Sequence, residues 1–256
     1  MPQPSETALV ADEDARQLRL TLAPDIAARY PDCRTAAIVV LGLRNSEPWQ
    51  ETEDALSLFE SEVRDGKREL PDESAPRISA WHELLRSFGT NPRRMRPSVD
   101  ALSRRLVKSG RLPRISPLVD TCNLVSLRYT LPTGGYDLSG ITHGFALRYA
   151  GPGDVHIPLG KPEEREHPQP GEVIYADGHN VLTRHWNHRD ADNTKVTPDT
   201  RSAVLLLEGI APAIPPEVLS KAQQELANLV APHADSVALY DFDPATDVEI
   251  SWAPGN

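Results

Sequence analysis

The chain changes its local pattern at Pro132, and this change limits the folds that it can adopt. Before Pro132 the hydrophobic spacing predicts helices over 48–66, 78–88 and 98–109, and a further helix that begins at Pro117. After it, the sequence predicts short strands near 144–149, 155–158, 172–176, 181–185 and 203–208, with turns at glycines such as Gly134-Gly135. Helices followed by strands favour an α+β fold over repeated βαβ units.

Further elements are predicted toward the two ends of the sequence. Residues 17–23 alternate in the manner of a short strand, and Thr35–Leu43 is a continuous apolar run typical of a buried strand. An amphipathic helix is predicted over 216–230, followed by a strand at SVALYDF and then an acidic end. We therefore expect strands on both sides of the helical region.

Two helix starts carry capping residues. Ser98 is predicted to cap a helix that ends at Gly110, because a serine hydroxyl can accept from the free N–H groups of a first turn and glycine often follows a last turn. Ser116-Pro117 predicts a second start, with serine as the cap and proline as the first helical residue.

The charge is distributed unevenly. The chain has 27 Lys and Arg against 37 Asp and Glu, a net charge of −10, yet residues 86–114 hold nine basic residues and one acid. Four of the basic residues, Arg104, Arg105, Lys108 and Arg111, lie on or just after one predicted helix and could contact an RNA backbone. The alternative is a solvated helix face. Net charge alone therefore does not exclude RNA binding.

Several common classes are not indicated by the sequence. It contains no GxxxxGK or GxGxxG loop, no GxSxG elbow and no HExxH motif. His185 and His188 could approach each other, but no third metal ligand has a suitable spacing. No apolar run is long enough to span a membrane, and two cysteines do not form a disulfide framework. We expect a cytoplasmic protein without metal or cofactor.

Five motifs in residues 116–208 resemble the editing domain, called B3/B4, of the phenylalanyl-tRNA synthetase β subunit. They are Ser116–Asn123 (SPLVDTCN), Leu131–Asp137 (LPTGGYD), Leu147-Arg148-Tyr149, Gly171–Asp177 (GEVIYAD) and Thr197–Glu208 (TPDTRSAVLLLE). Gly134 replaces a histidine of the synthetase, and 182–189 (LTRHWNHR) replaces a glycine-rich segment. In these departures the chain is similar to free-standing B3/B4 proteins.

The resemblance implies an α+β fold with two packed β-sheets flanked by helices. It implies a B3/B4-like domain over 75–232, with an N-terminal α/β extension (1–74) packed on it and a C-terminal strand and acidic tail (233–256). We expect these parts to form one structural unit, either a monomer or a weak homodimer.

The resemblance also implies a function in tRNA editing. The expected activity is hydrolysis of the ester of a mischarged aminoacyl-tRNA in trans, without aminoacylation, so the expected partner is the aminoacylated 3′ end of tRNA rather than DNA or a membrane. A tRNA-binding or amino-acid-binding module without catalytic activity is the alternative. The replacement of the glycine-rich segment by larger residues argues against assuming tyrosine as the amino acid removed.

The segment 182–189 supplies most of the candidate site residues. Arg184 and Arg189 could bind phosphate or an oxyanion, or form structural ion pairs. Trp186 could stack on a base or pack in the core, and Asn187 could hydrogen-bond a base or an amine. Catalysis would depend on a positioned water, for which Arg184 and Asn187 are the best candidates.

Other candidates for substrate binding come from the matched motifs. Asn123 could be a pocket residue or could brace the backbone, and Tyr136 could form a pocket wall or pack in the core. Asp137 and Asp177 could form turns or bind the substrate's amino group. Thr200 and Ser202 stand where the synthetase pattern has pocket residues at the start of a strand.

Overall fold

The computed structural model describes residues 16–142, 144–242 and 248–252. Within these residues the chain forms six α-helices. They are α1 (Pro24–Arg29), α2 (Gln50–Arg64), α3 (Pro76–Ser87), α4 (Ser98–Ser109), α5 (Pro117–Tyr129) and α6 (Pro216–Val230). Five of these, α2 to α6, confirm the helices predicted from the sequence. No helix in the described part of the chain has the length and apolar character needed to cross a membrane.

In the described part of the chain, eleven strands form two sheets. They are β1 (Arg16–Leu22), β2 (Cys33–Leu41), β3 (Thr133–Asp137), β4 (Gly144–Tyr149), β5 (Val155–His156), β6 (Val173–Asp177), β7 (Asn180–Arg184), β8 (Arg189–Asp190), β9 (Ser202–Ile210), β10 (Ser236–Phe242) and β11 (Val248–Trp252). The larger sheet has the order β11-β1-β4-β6-β7-β5, with β8 paired to β7. The smaller sheet has the order β10-β2-β9-β3. The α+β fold with two sheets is thereby confirmed.

Strand β2 shows how the layers pack. Its residues alternate between two faces, as in any strand, and six of the nine, including all of 36–40, are buried. Ala37 and Val39 belong to the core cluster that includes Leu18, Leu20 and Phe145 of the larger sheet. Ala36, Ile38 and Val40 belong to a second cluster, with Leu118 and Cys122 of α5 and Leu226 of α6. The smaller sheet is therefore sandwiched between the larger sheet and the helices.

The N-terminal segment contributes a strand to each sheet. Strand β1 lies between β4, to which it runs parallel, and β11. Strand β2 lies between β9 and β10 and pairs antiparallel with both. The strand predicted at SVALYDF is β10, while the prediction of a single strand in 233–256 misses β11. The predicted boundaries at residues 74 and 232 stay predictions.

The capping residues predict the start of α5 and the end of α4 correctly. Ser116 caps α5 by accepting a hydrogen bond from the Val119 amide, and Gly110 follows α4 with a φ of 72°. The prediction that Ser98 caps α4 is wrong, because Ser98 is already the first helical residue. Its amide instead donates to the carbonyl of Asn187, which ties α4 to the loop after β7.

The prediction of a turn at Gly134-Gly135 is also wrong. Both glycines lie inside β3, where they pair with Leu206 and Leu205 of β9. A Cβ atom on Gly135 would lie 3.3 Å from a methyl of Leu205, so this strand lies close to its surroundings. Because neither glycine has a side chain, this part of β3 leaves open space next to helix α5.

Candidate functional site

A cavity of about 380 Å³ lies against the face of α5 and the glycines of β3. Helix α5 contributes Leu118, Val119, Cys122 and Asn123, whose spacing places them on one helix face. The remaining lining residues are Ile115, Thr133, Gly134, Gly135, Leu159, Gly160, Asp190, Asp192, Lys195, Val196 and Leu205. We call this space the main cavity. Its wall is mostly apolar, with the polar groups of Asn123 and Asp190 among the exceptions.

A second, smaller space of about 40 Å³ shares Thr133, Gly134 and Asp190 with the main cavity. We call it the polar recess. Its other lining residues are Ser98, Tyr136, Tyr175, Thr183, Trp186, Asn187, His188, Leu206 and Glu208. Most of these carry hydrogen-bonding side chains. The mostly apolar main cavity and the polar recess are therefore neighbours that share part of their walls.

Glu208 lies in the recess on β9 and is 4% exposed. Its Oε1 accepts hydrogen bonds from the hydroxyl of Tyr175 (2.6 Å) and from Nε1 of Trp186 (2.8 Å). Its Oε2 accepts one from Nδ2 of Asn187 (2.9 Å). Burial raises the pKa of Glu208 to about 7, although these three hydrogen bonds act in the opposite direction.

Asp190 stands where the main cavity meets the recess. Its Oδ1 accepts a hydrogen bond from the Thr183 hydroxyl at 2.7 Å, and Tyr136 is hydrogen-bonded to the same Thr183 hydroxyl at 2.6 Å. Surrounding protein raises the pKa of Asp190 to about 6, yet part of the side chain stays accessible through the cavity. A carboxyl with a raised pKa in a cavity is typical of functional sites.

The residues of segment 182–189 divide into two groups. Arg184 donates to both oxygens of Glu172 and to Glu166, and it is only 16% exposed. Neither Arg184 nor the exposed Arg189 is among the residues that line the two cavities. Trp186 and Asn187 do line the recess. The structure therefore places Asn187, but not Arg184, beside the candidate reaction space.

Trp186 is 1% exposed and packs among other aromatic rings. Its ring meets that of Tyr30 edge-on at 5.2 Å and that of Trp81 at 5.8 Å. Both His185 and Trp186 have positive φ angles, 48° and 68°, which are uncommon for residues with side chains and are often found at functional sites. This environment matches the core-packing alternative for Trp186.

The remaining sequence-predicted candidates fall in different places. Asn123 lines the main cavity and Tyr136 lines the recess. Asp137 accepts a hydrogen bond from the Thr200 hydroxyl at 2.6 Å and also holds the turn after β3. Asp177 accepts from the Thr142 amide at 2.6 Å, and Ser202 begins β9. The aspartates thus occupy structural turns, which was the alternative given for them.

Sequence reasoning did not select Glu208 or Asp190 as site residues. For Glu208 a signal exists, because an acid that ends the apolar run VLLLE is expected to be buried and partnered. Asp190 has no such signal, since it follows an exposed arginine in a polar segment. The described residues contain no group of three or more His, Cys, Asp or Glu side chains that could hold a metal ion.

The basic residues of the α4 region are not equivalent. Arg104 is engaged by Asp100 at 2.8 Å and by Glu73 at 3.2 Å, so its charge is neutralised. Arg105, Lys108 and Arg111 are exposed and make no ion pair with any residue that the structure describes. These three form the cationic face that is available to a partner.

The comparisons with known proteins agree with this architecture. The family model "B3/4 domain" matches residues 80–234. The phenylalanine–tRNA ligase β subunit of Mycobacterium leprae is 34% identical over 153 residues, which are 59% of this chain and 16% of that protein. The chain therefore spans about a sixth of that relative's length.

A solved structure is also similar, an N-terminal fragment of the phenylalanyl-tRNA synthetase β subunit from Pyrococcus horikoshii. It is 14% identical, with a TM-score of 0.39, and the match covers 81% of this chain and 48% of that chain. The family model spans more than half of the residues of the present chain. The chain therefore belongs to the B3/4 domain family.

Proposed function

We propose that this protein binds the aminoacylated 3′ end of a tRNA and hydrolyses the ester of a mischarged amino acid in trans, without aminoacylation activity. The observation that carries the proposal is the main cavity, whose mostly apolar wall shares Thr133, Gly134 and Asp190 with a polar recess that also holds the buried Glu208. The similarity to a tRNA ligase subunit supports an aminoacyl-tRNA as the substrate class.

The chemistry requires little from the protein. Water adds to the ester carbonyl, the bond from the carbonyl carbon to the ribose oxygen breaks, and a proton moves to that oxygen. The products are a free amino acid and an uncharged tRNA. Because the ester is already activated, fixing its orientation and that of one water supplies much of the acceleration. Asn123 and Asp190, two of the polar residues that line the main cavity, would orient the ester and the water in this proposal.

Cysteine chemistry is not part of the proposal. Cys122 lines the main cavity, but burial raises the pKa of its thiol to about 12. A thiol with such a pKa is not ionised at neutral pH and is a poor nucleophile. Hydrolysis by a positioned water is therefore favoured over a covalent thioester route.

The cavity dimensions bear on the amino acid that is removed. The recess, at about 40 Å³, is too small for most amino-acid side chains, so the side chain would lie in the main cavity of about 380 Å³. The main cavity has aliphatic walls formed by residues such as Leu118, Val119 and Leu205. We propose an amino acid with an apolar side chain, protein or non-protein.

The cationic face provides the RNA contact. Arg105, Lys108 and Arg111 are exposed and form no ion pair with the described residues, in a chain whose net charge is −10. The loop from Arg111 leads within a few residues to Ile115, which lines the main cavity and is 55% exposed. A tRNA acceptor stem on this face would have its 3′ end near the cavity.

The test is a panel of mischarged tRNAs incubated with the pure protein, followed by measurement of ester loss. We expect at least one ester to be cleaved well above the buffer rate, and we expect Asn123→Ala to slow that cleavage. Asn228→Ala, on the exposed face of α6, is the matched control. If tRNA binds but no ester is cleaved, the protein is the binding module given as the alternative. If no tRNA binds at low salt, both readings are wrong.

A further inference from the structure

We infer that the polar recess binds the α-ammonium group of the aminoacyl ester, so that Asp190 makes the protein selective for esters with a free amino group. This inference rests on the proposed function and adds to it a requirement on the substrate. It is drawn from the acceptors, the size and the charge of the recess.

The recess contains acceptors that lack donors. Oδ1 of Asn187 is buried and has no hydrogen-bond partner among the described residues, which is unusual for a buried polar atom. Asp190 accepts a hydrogen bond from Thr183 at its Oδ1. An ammonium group brings three N–H donors, and Asn187 and Asp190, whose oxygens can accept them, line the same small space.

The size of the recess fits the same group. A volume of about 40 Å³ accommodates a group of water size, since one water needs roughly 10–15 Å³ on this measure. An ammonium group is of that size, whereas a phosphate or a ring is larger. Because Thr133, Gly134 and Asp190 line both spaces, an amine bound in the recess would lie next to an ester bound in the main cavity.

The charge of the recess is uncompensated. It holds two carboxyl groups, Asp190 and Glu208, together with the hydroxyls of Tyr136 and Tyr175 and the ring of His188. Burial lowers the pKa of His188, so that this ring is neutral near pH 7. Within the described residues, no Lys, Arg or His nitrogen forms an ion pair with Asp190 or Glu208. A bound ammonium would supply the missing positive charge.

This recognition has a clear chemical consequence. An N-acylated ester has no ammonium group, and its amide carbonyl would meet the acceptors of the recess. Esters of formylated initiator tRNA and of peptidyl-tRNA would therefore be rejected. A deacylase that acts in trans has to discriminate against N-acylated esters, because they are present in the same solution as its substrates.

The experiment compares each aminoacyl-tRNA of the panel with the same tRNA after N-acetylation of its amino acid. For the wild-type protein we expect acetylation to lower kcat/KM by at least about 100-fold, because a site built for N–H donors discriminates strongly against an analogue that lacks them. Asp190→Asn should slow hydrolysis of the free-amine ester at least about 10-fold and leave the two esters within a few-fold of each other. Asp199→Asn, an exposed aspartate, is the control and should behave as wild type.

The outcomes separate the inference from the proposed function. If neither ester is cleaved by the wild-type protein, the proposed function fails. If both are cleaved equally, the function stands and the inference is wrong. If Asp190→Asn slows both esters by the same factor, Asp190 acts on the water and the inference is again wrong. The wild-type comparison needs no variant, so it decides the question even if Asp190→Asn does not fold.

Discussion

Nε1 of Trp186 donates a hydrogen bond of 2.8 Å to Oε1 of Glu208, and both residues are almost fully buried. This bond joins the loop after β7 to the centre of β9, and so joins the larger sheet to the smaller one. It also directs the carboxylate into the polar recess. The geometry of the candidate site therefore depends on how the two sheets are held together.

Replacing Trp186 by phenylalanine should destabilise the protein by about 1–3 kcal/mol beyond the effect of the smaller aromatic ring, because Glu208 loses a buried donor. The control is Trp81→Phe, because Nε1 of Trp81 is buried without a partner and its removal takes away no hydrogen bond. Chemical denaturation measures both changes. Equal losses in the two variants would show that the bond to Glu208 contributes nothing.

The raised pKa of Glu208 predicts a pH dependence of stability. With a folded pKa of about 7 against 4.5 for the free group, the folded protein keeps a proton that the unfolded chain has lost over this interval. The stabilising contribution is thus fully present below pH 4.5 and is lost as the pH rises to 7. We expect the free energy of unfolding of the wild type, minus that of Glu208→Gln, to fall across this window.

Taking the difference between the two proteins removes competing titrations. Burial lowers the pKa values of His156, His185 and His188, which makes stability rise with pH in the same range in both proteins. Glu163→Gln, an exposed glutamate, is the control and should give a flat difference curve. A flat curve for Glu208→Gln would mean that Glu208 is ionised throughout the window.

Arg184 is predicted to act on stability rather than as a direct substrate contact. Arg184→Ala leaves Glu172, which is 3% exposed, without its main cation, so we expect a loss of about 3 kcal/mol. The double variant with Glu172→Gln should lose less than the sum of the single losses. Arg189→Ala, at an exposed position without an ion pair among the described residues, should change stability by less than about 0.5 kcal/mol.

Charge reversal on α4 tests the RNA contact. The double variant Arg105→Glu and Lys108→Glu should weaken tRNA binding at low salt by at least about tenfold. It should also reduce the salt slope of log K by about 2, because each lost phosphate contact removes about one unit. Lys221→Glu, an exposed residue on α6, is the control for a change in overall charge. An unchanged slope would place the RNA on another surface.

A methyl group at Gly134 should obstruct the junction of the two cavities. A Cβ atom there would lie 3.7 Å from the Tyr136 hydroxyl, an ordinary contact, so Gly134→Ala should change stability by less than about 1 kcal/mol. Hydrolysis should fall at least about tenfold, because a displacement of about 1 Å at a reaction site has large effects on rate. Gly151→Ala, which also has room for a methyl group, is the control.

Local sequence patterns predicted most of the elements but not the way they assemble. Hydrophobic spacing and capping residues are local, so α2 to α6 and most strands agree with expectation. The pairing of β2 with β9 and β10, and of β1 with β11, joins residues far apart in the chain and leaves no local signal. Gly134 and Gly135 were misassigned for the same reason, because their strand conformation is set by β9.

The candidate site was predictable only in part. Asn123, Tyr136 and Asn187 were selected from motifs, and the structure places all three at the two cavities. Arg184 was selected for its charge, but the two acids that bind it, Glu166 and Glu172, lie on other segments and could not be paired with it in advance. Asp190 was identified as a candidate only from the structure, in which it lines both the main cavity and the polar recess.

The two successive positive φ angles at His185 and Trp186 have a consequence for specificity. Glycine adopts this backbone conformation freely, so a glycine-rich segment could follow the same path here with less strain. Such a segment would leave empty the volume that the Trp186 ring now fills. The volume of the polar recess can thus be altered at these two positions while the course of the main chain is retained.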